Sequence, residues 1–207
     1  MYIPKSYEIH DSHEVEAIIR NNGFATVISC HEGAPMATHL PLELASEGRP
    51  YKLLGHFARA NQQWKAITAE TEVLAIFHGP HTYISPRWYD HVNVPTWNYV
   101  SVHCYGKMRF IEGVDLRNAL DRLVRHYEGD SPTGYSVEKL PAEFFSGQVK
   151  GIVGFEITVS RIEAAGKLSQ NRNAKNFATV MSELRKRGDE NSVAVAEAME
   201  TRKPKDS

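Results

Sequence analysis

The chain has 207 residues, 42% hydrophobic and 24% charged, which suits one globular domain with a small appendage and excludes a disordered chain. Lys and Arg number 24 against 25 Asp and Glu, for a formal net charge of −1, so no global field draws the chain to nucleic acid or an anionic membrane. Two cysteines, Cys30 and Cys104, exclude a disulfide framework and point to a reducing cytoplasm, while an opening without an apolar core and the lack of any long apolar run argue against secretion or membrane spanning.

The first expected element is a helix capped by Asp11, with Glu14 reaching back in a capping box, an apolar stripe of Val15, Ile18 and Ile19, and a left-handed exit at Asn22-Gly23. From Phe24 the texture becomes β-favouring. Strands are expected over 24–30, 36–44, 51–57, 72–78, 82–85, 99–111 and 151–162, with turns at Glu32-Gly33, Glu47-Gly48 and Gly79-Pro80. Short strands with few long helices between them predict a mainly β, α+β fold built as an antiparallel barrel or sandwich. Along 97–106, Trp97, Tyr99, Ser101, His103 and Tyr105 share one face, and Asn98, Val100, Val102 and Cys104 share the core face. Helices are expected after Asn61, which caps a turn holding Trp64 and Ile67, from Asp115 through the Leu116, Leu120, Leu123, Val124 and Tyr127 stripe, and over 175–187 and 192–201. Residues 202–207 read as a frayed end.

All 10 histidines lie before residue 127, which first raises a metal site. His78-Gly-Pro-His81 is the suggestive spacing, but Gly-Pro breaks the helix that would align two imidazoles, and no HExxH or CxxC companion exists. No GxSxG signature marks a nucleophile, and Cys104 falls on the core face of its strand. Phosphate binding has better material: Arg59 and Asn61 sit where a strand ends and a helix begins, against the plainer reading of a solvated arginine and an N-cap. Tyr83 to Tyr89 and Val94 to Tyr99 are rich in aromatics. Ser85, Thr96 and Asn98 among them suit the polar edge of a planar heterocycle such as a flavin, or else a dimer-interface core.

Six blocks in register carry a resemblance: Met1 to Lys5, Thr38-His39-Leu40-Pro41-Leu42, Gly55 to Trp64, Phe77 to Tyr89, Val94 to Tyr99, and Lys167-Leu168-Ser169-Gln170-Asn171-Arg172. Together they resemble the PaiB-type FMN-binding negative transcriptional regulators. The resemblance implies a flavin-binding split β-barrel related to the pyridoxamine 5′-phosphate oxidases, a homodimer with FMN at the subunit interface, a barrel domain over 1–165 and a helical extension over 166–207 packing on the barrel or the partner subunit. It implies Thr38, His39 and Leu40 beside the isoalloxazine and His56, Arg59 and Asn61 near the phosphate. Ser85, Thr96, Trp97, Asn98 and Tyr99 line the remaining wall, some from the partner chain, and Lys167, Gln170 and Arg172 close the site. The basic phosphate signatures of pyridoxamine phosphate oxidase itself are missing, so that activity is not implied. Repression of genes needs DNA contact or contact with another regulator through a local surface. Lys175, Arg185, Lys186, Arg187, Arg202, Lys203 and Lys205 are the available cations, yet 192–201 lacks the basic face of a recognition helix. A flavin-dependent oxidoreductase is the alternative, and a haem-binding barrel with His39, His56 or His103 as axial ligand is a further one.

Overall fold

A computed structural model describes residues 1–46, 48–129 and 134–202. The expected turn residue Glu47, the cations Lys203 and Lys205 and the expected fraying over 203–207 lie outside the described residues. Glu32 and Gly33 take φ of 50° and 80°, the paired positive φ of a two-residue hairpin turn that matches strand twist. They join β1 (Phe24–His31) to β2 (Ala34–Pro41) in antiparallel register from Phe24 opposite Pro41 to His31 opposite Ala34. β3 (Glu43–Leu44), β4 (Lys52–Ala58), β5 (Glu72–Ile84), β6 (Thr96–Ile111) and β7 (Ile152–Lys167) complete a seven-stranded sheet in the order β2-β1-β5-β6-β7-β4-β3. The edge strands β2 and β3 are neighbours in the chain, separated by Leu42 alone. That is the connectivity of a barrel.

The chain divides into two compact units. The barrel unit comprises Asn22–Phe77 and Cys104–Ile162. Its interior holds Val27, Leu53, Phe57, Phe77, Phe155 and Ile157, all but removed from water, and each such side chain contributes about 1.5–3 kcal/mol. Phe57 and Phe155 pack with ring centroids 4.8 Å apart. Helix α2 (Gly113–Glu128) buries Leu116 and Ala119 against Ile111. Its later turns cover the junction of β2 and β3: Arg122 donates to the Leu44 carbonyl at 3.3 Å, and His126 Nδ1 lies 3.6 Å from the buried Glu43 carboxylate. Helix α3 (Ala142–Val149) follows, an element without a sequence signal of its own.

The helical unit comprises Met1–Asn21, His78–His103 and Glu163–Ser207. Asp11 caps α1 (Ser12–Asn21) by accepting from the Glu14 amide at 2.8 Å. The Glu14 carboxylate does not complete the capping box, because Arg202 holds it through two contacts at 2.6 and 3.3 Å. Helices α4 (Ala174–Arg187) and α5 (Glu190–Glu200) form a hairpin, with Gly188 at φ 74° ending the first and Asp189 capping the second.

Two expected punctuation marks are corrected. Gly23 has no positive φ. A Cβ there would stand 3.2 Å from the Tyr127 hydroxyl and 3.3 Å from the Leu42 carbonyl, so this glycine serves close packing. Gly79-Pro80 is no turn, since β5 runs through it unbroken. Gly79 is buried, and an added Cβ would lie 3.0 Å from that of Val100.

Candidate functional site

In the barrel unit, β2 and the short 3₁₀ turn Gln63–Ala66 bring together three polar side chains. Asn61, expected as the cap, stands one residue before the cap position Gln62, its Oδ1 accepting from the Gln63 amide at 2.8 Å. Its Nδ2 donates to Thr38 Oγ1 at 2.8 Å, and Thr38 donates to Gln63 Oε1 at 2.6 Å. Gln63 itself is 1% exposed. His39, next on β2, is exposed; it hydrogen-bonds Thr26 across the hairpin at 2.9 Å and stacks on Phe24 at 6.3 Å. Leu40 is buried in the wall. On β4, burial holds the His56 imidazole below its ordinary pKa, so it is neutral at pH 7. Arg59 donates from Nε to the Lys150 carbonyl and from Nη2 to the Ile152 carbonyl, both at 2.7 Å. Two of its nitrogens are thus committed to backbone carbonyls at the end of α3 and the start of β7, and Nη1 remains. It rims a cavity of about 310 Å³ together with Trp64, Phe110, Leu116 and Val149.

The helical unit holds the other expected site residues. Ser85 accepts from the Arg87 amide at 3.2 Å and so caps a 3₁₀ turn. Trp97 is 47% exposed, its ring 6.1 Å from those of both His81 and Tyr83, and Tyr99 is half-buried beside it on the same face. Asn98 is fully buried on the opposite face, bonded to Ser169 and Met199, which gives this residue an internal role. Gln170 is also spent on the backbone: it accepts from the Leu168 amide and donates to the Ser6 and Gly166 carbonyls. These bonds, with Ser169 at φ 62° and Arg172 N–H donating to the Ser169 carbonyl at 3.0 Å, fix a tight turn.

That turn displays Lys167 and Arg172. Lys167 donates to Thr96 at 2.5 Å, and its pKa is lowered by burial first and by the nearby Arg172 charge second. Arg172 lies with its guanidinium carbon 4.8 Å from the Tyr89 ring centre. Among the described residues neither cation has a carboxylate partner. Two half-buried positive groups that repel one another are suited to an anion or to the electron-rich edge of a heterocycle. Separately, the barrel unit presents the Asn61 amide as a neutral donor. Each set by itself suits one part of FMN, which brings both an anionic phosphate and a polar heterocycle edge.

Several other cations are engaged. Lys175 pairs with Asp90, Arg185 with Glu200, Lys186 with Glu183 and Arg202 with Glu14. Arg187 donates to Thr82 and the Tyr83 carbonyl and lies over the Trp88 ring. Burial pushes the Cys104 thiol up to about 12, leaving it inert. Among the described residues no three His, Cys, Asp or Glu side chains are grouped to hold a metal, and no helix is long and apolar enough to cross a membrane. Of these residues, sequence reasoning gave Gln63 no role; a glutamine beside a helix cap carries no signal until the strands are paired.

Residues 1–161 match the family described as "Putative FMN-binding domain". Over 200 residues, 97% of each chain, this protein is 41% identical to "Protease synthase and sporulation protein PAI 2" of Bacillus subtilis (strain 168). Among solved structures it is similar to the FAD and heme binding protein from Mycobacterium smegmatis, at TM-score 0.61 and 11% identity over 78% of this chain and 73% of that one. A 5-nitroimidazole antibiotic resistance protein from Bacteroides thetaiotaomicron aligns at TM-score 0.57 and 21% identity, over 76% of this chain and 85% of that one. These place the α+β sheet among the split barrels, and FMN is the cofactor that the family match assigns. The chain belongs to the PaiB-type FMN-binding family.

Proposed function

We propose that this protein is a negative regulator of gene expression that works as a homodimer, with FMN at the subunit interface setting its affinity for a partner. The observation that carries the reading is the Lys167 and Arg172 pair, two half-buried cations that have no carboxylate partner among the described residues. Their energetic demand for an anion matches a cofactor that brings one. The relative's name, with its reference to protease synthesis and sporulation, supports control of such genes.

When bound, the flavin supplies one- and two-electron redox chemistry. The chain's own residues bind and orient it. Lys167 and Arg172 neutralise negative charge, Asn61 donates to the phosphate, and Thr38, His39 and Leu40 define the barrel wall. Ser85, Thr96, Trp97 and Tyr99 shape the rest of the site, some of them from the partner chain, while Asn98 and Gln170 hold the turn behind Lys167 and Arg172 in place. The neutral His56 accepts or donates without adding charge. Lys175, Arg185, Lys186 and Arg202 are paired with carboxylates and Arg187 with hydroxyl and carbonyl oxygens of the same chain, which favours another regulator over a DNA groove as the partner.

An absorption spectrum of the purified protein comes first: flavin bands are expected, and a Soret band or a featureless visible spectrum would overturn the cofactor. FMN-loaded and FMN-free protein are then compared for binding to promoter DNA and to protein partners. Equal binding by the two forms would sink the regulatory coupling.

A further inference from the structure

Gln63 has no place in the flavin reading, yet its surroundings determine its orientation completely. Its Nε2 lies 3.1 Å from the Val27 carbonyl and 3.2 Å from the Met36 carbonyl, with Ser29 Oγ at 3.1 Å. Backbone carbonyls only accept, so the amide nitrogen faces them and Oε1 faces Thr38. Thr38 therefore spends its single proton on Gln63 and can only accept from Asn61. The other end gives the same answer independently. The Gln63 peptide N–H, which can only donate, meets Asn61 Oδ1, so the Asn61 nitrogen must face Thr38. Three backbone groups leave one arrangement of protons in the cluster.

In that arrangement Thr38 has no proton to offer a ligand, whereas Asn61 keeps its second Nδ2–H. Phosphate oxygens need donors, so of these two residues Asn61 alone can serve them. We infer that Gln63 is a positioning residue that orders the Asn61 amide as a phosphate donor, with Thr38 as the relay between them. The inference rests on the FMN reading above and sharpens it. A phosphate-bearing flavin is distinguished from its dephosphorylated form by an amide whose orientation is set three residues deep in the barrel unit.

The test measures dissociation constants for FMN and riboflavin in Asn61→Ala, Gln63→Met and Thr38→Val, with thermal melts to establish folding. Each variant is expected to lower the preference for FMN over riboflavin by about tenfold, the low end for a hydrogen bond to a charged group, with riboflavin affinity nearly unchanged in Asn61→Ala and Gln63→Met. The Asn61→Ala/Gln63→Met double variant is expected to lose no more than either single one. Equal weakening of both flavins in Gln63→Met, or additive losses in the double variant, would overturn the positioning role. If Gln63→Met fails to fold, Thr38→Val carries the same comparison with a near-isosteric side chain. A wild-type chain that binds neither flavin overturns the FMN reading itself, a different result from a wild type that binds FMN and variants that keep their preference.

Discussion

The molecule contains two polar clusters that look alike in sequence and are opposite in energy. In the barrel unit, Thr38, Asn61 and Gln63 answer one another donor for acceptor, and the buried amide is fully satisfied. In the helical unit, Lys167 and Arg172 stand close enough to disfavour each other's charge, and no carboxylate relieves them among the described residues. A closed neutral network stabilises the free protein and arrives at the ligand already ordered. An open cationic pair does the reverse: it costs the free protein stability that only a bound anion returns. One cluster is satisfied from within, and the other is open to an anion.

The contrast is sharpest at Lys167. Lys167→Met should weaken FMN binding by about 1.5–3 kcal/mol, measured by titration, while the ligand-free protein melts at the same or a higher temperature. A less stable free protein with unchanged FMN affinity would dissolve the distinction. Thr38→Val should do the opposite in the ligand-free state, because it strands Gln63 Oε1 and an Asn61 N–H; a loss of about 1–3 kcal/mol in urea unfolding is expected. Arg59 stands between the two classes. With Nε and Nη2 held by backbone carbonyls, Arg59→Ala should lower FMN affinity by about 1 kcal/mol through Nη1 alone, and an unaltered dissociation constant would remove it from the phosphate. The smallest effect concerns pH. Burial holds the His56 pKa below 6.5 in the fold, so as pH drops under 6.5 the unfolded chain takes up a proton that the folded one refuses. Stability from this group is full above that value and declines below it until the folded pKa is reached. Replacing His56 by Gln should flatten that slope in pH-dependent melts.

Local pattern carried the reading of the fold as far as local physics reaches. Glu32-Gly33 announced its hairpin because a two-residue turn needs positive φ, and alternation along 97–106 separated buried Val100, Val102 and Cys104 from half-exposed Tyr99, His103 and Tyr105. Gly79-Pro80 misled because a glycine needed for close approach to Val100 is written like a turn glycine. The candidate site was legible as residue types, since Asn61, Lys167 and Arg172 stand in recognisable blocks. Partners 25 to 36 residues apart in sequence, such as Gln63 with Thr38 and Val27, have no local signature. Asn98 was chosen as a wall residue for its chemistry, and its internal bond to Ser169 became visible only once β6 and the turn after β7 met.

The junction at Leu42 has a consequence for the protein's behaviour in a crowded solution. The second sheet edge, β3, is only two residues long and α2 lies over its join with β2, so that edge offers little backbone with which to recruit another strand. That edge is thereby protected from open-ended strand addition. Assembly across it falls to side-chain surfaces, which close at a defined number of copies, rather than to backbone ladders, which do not.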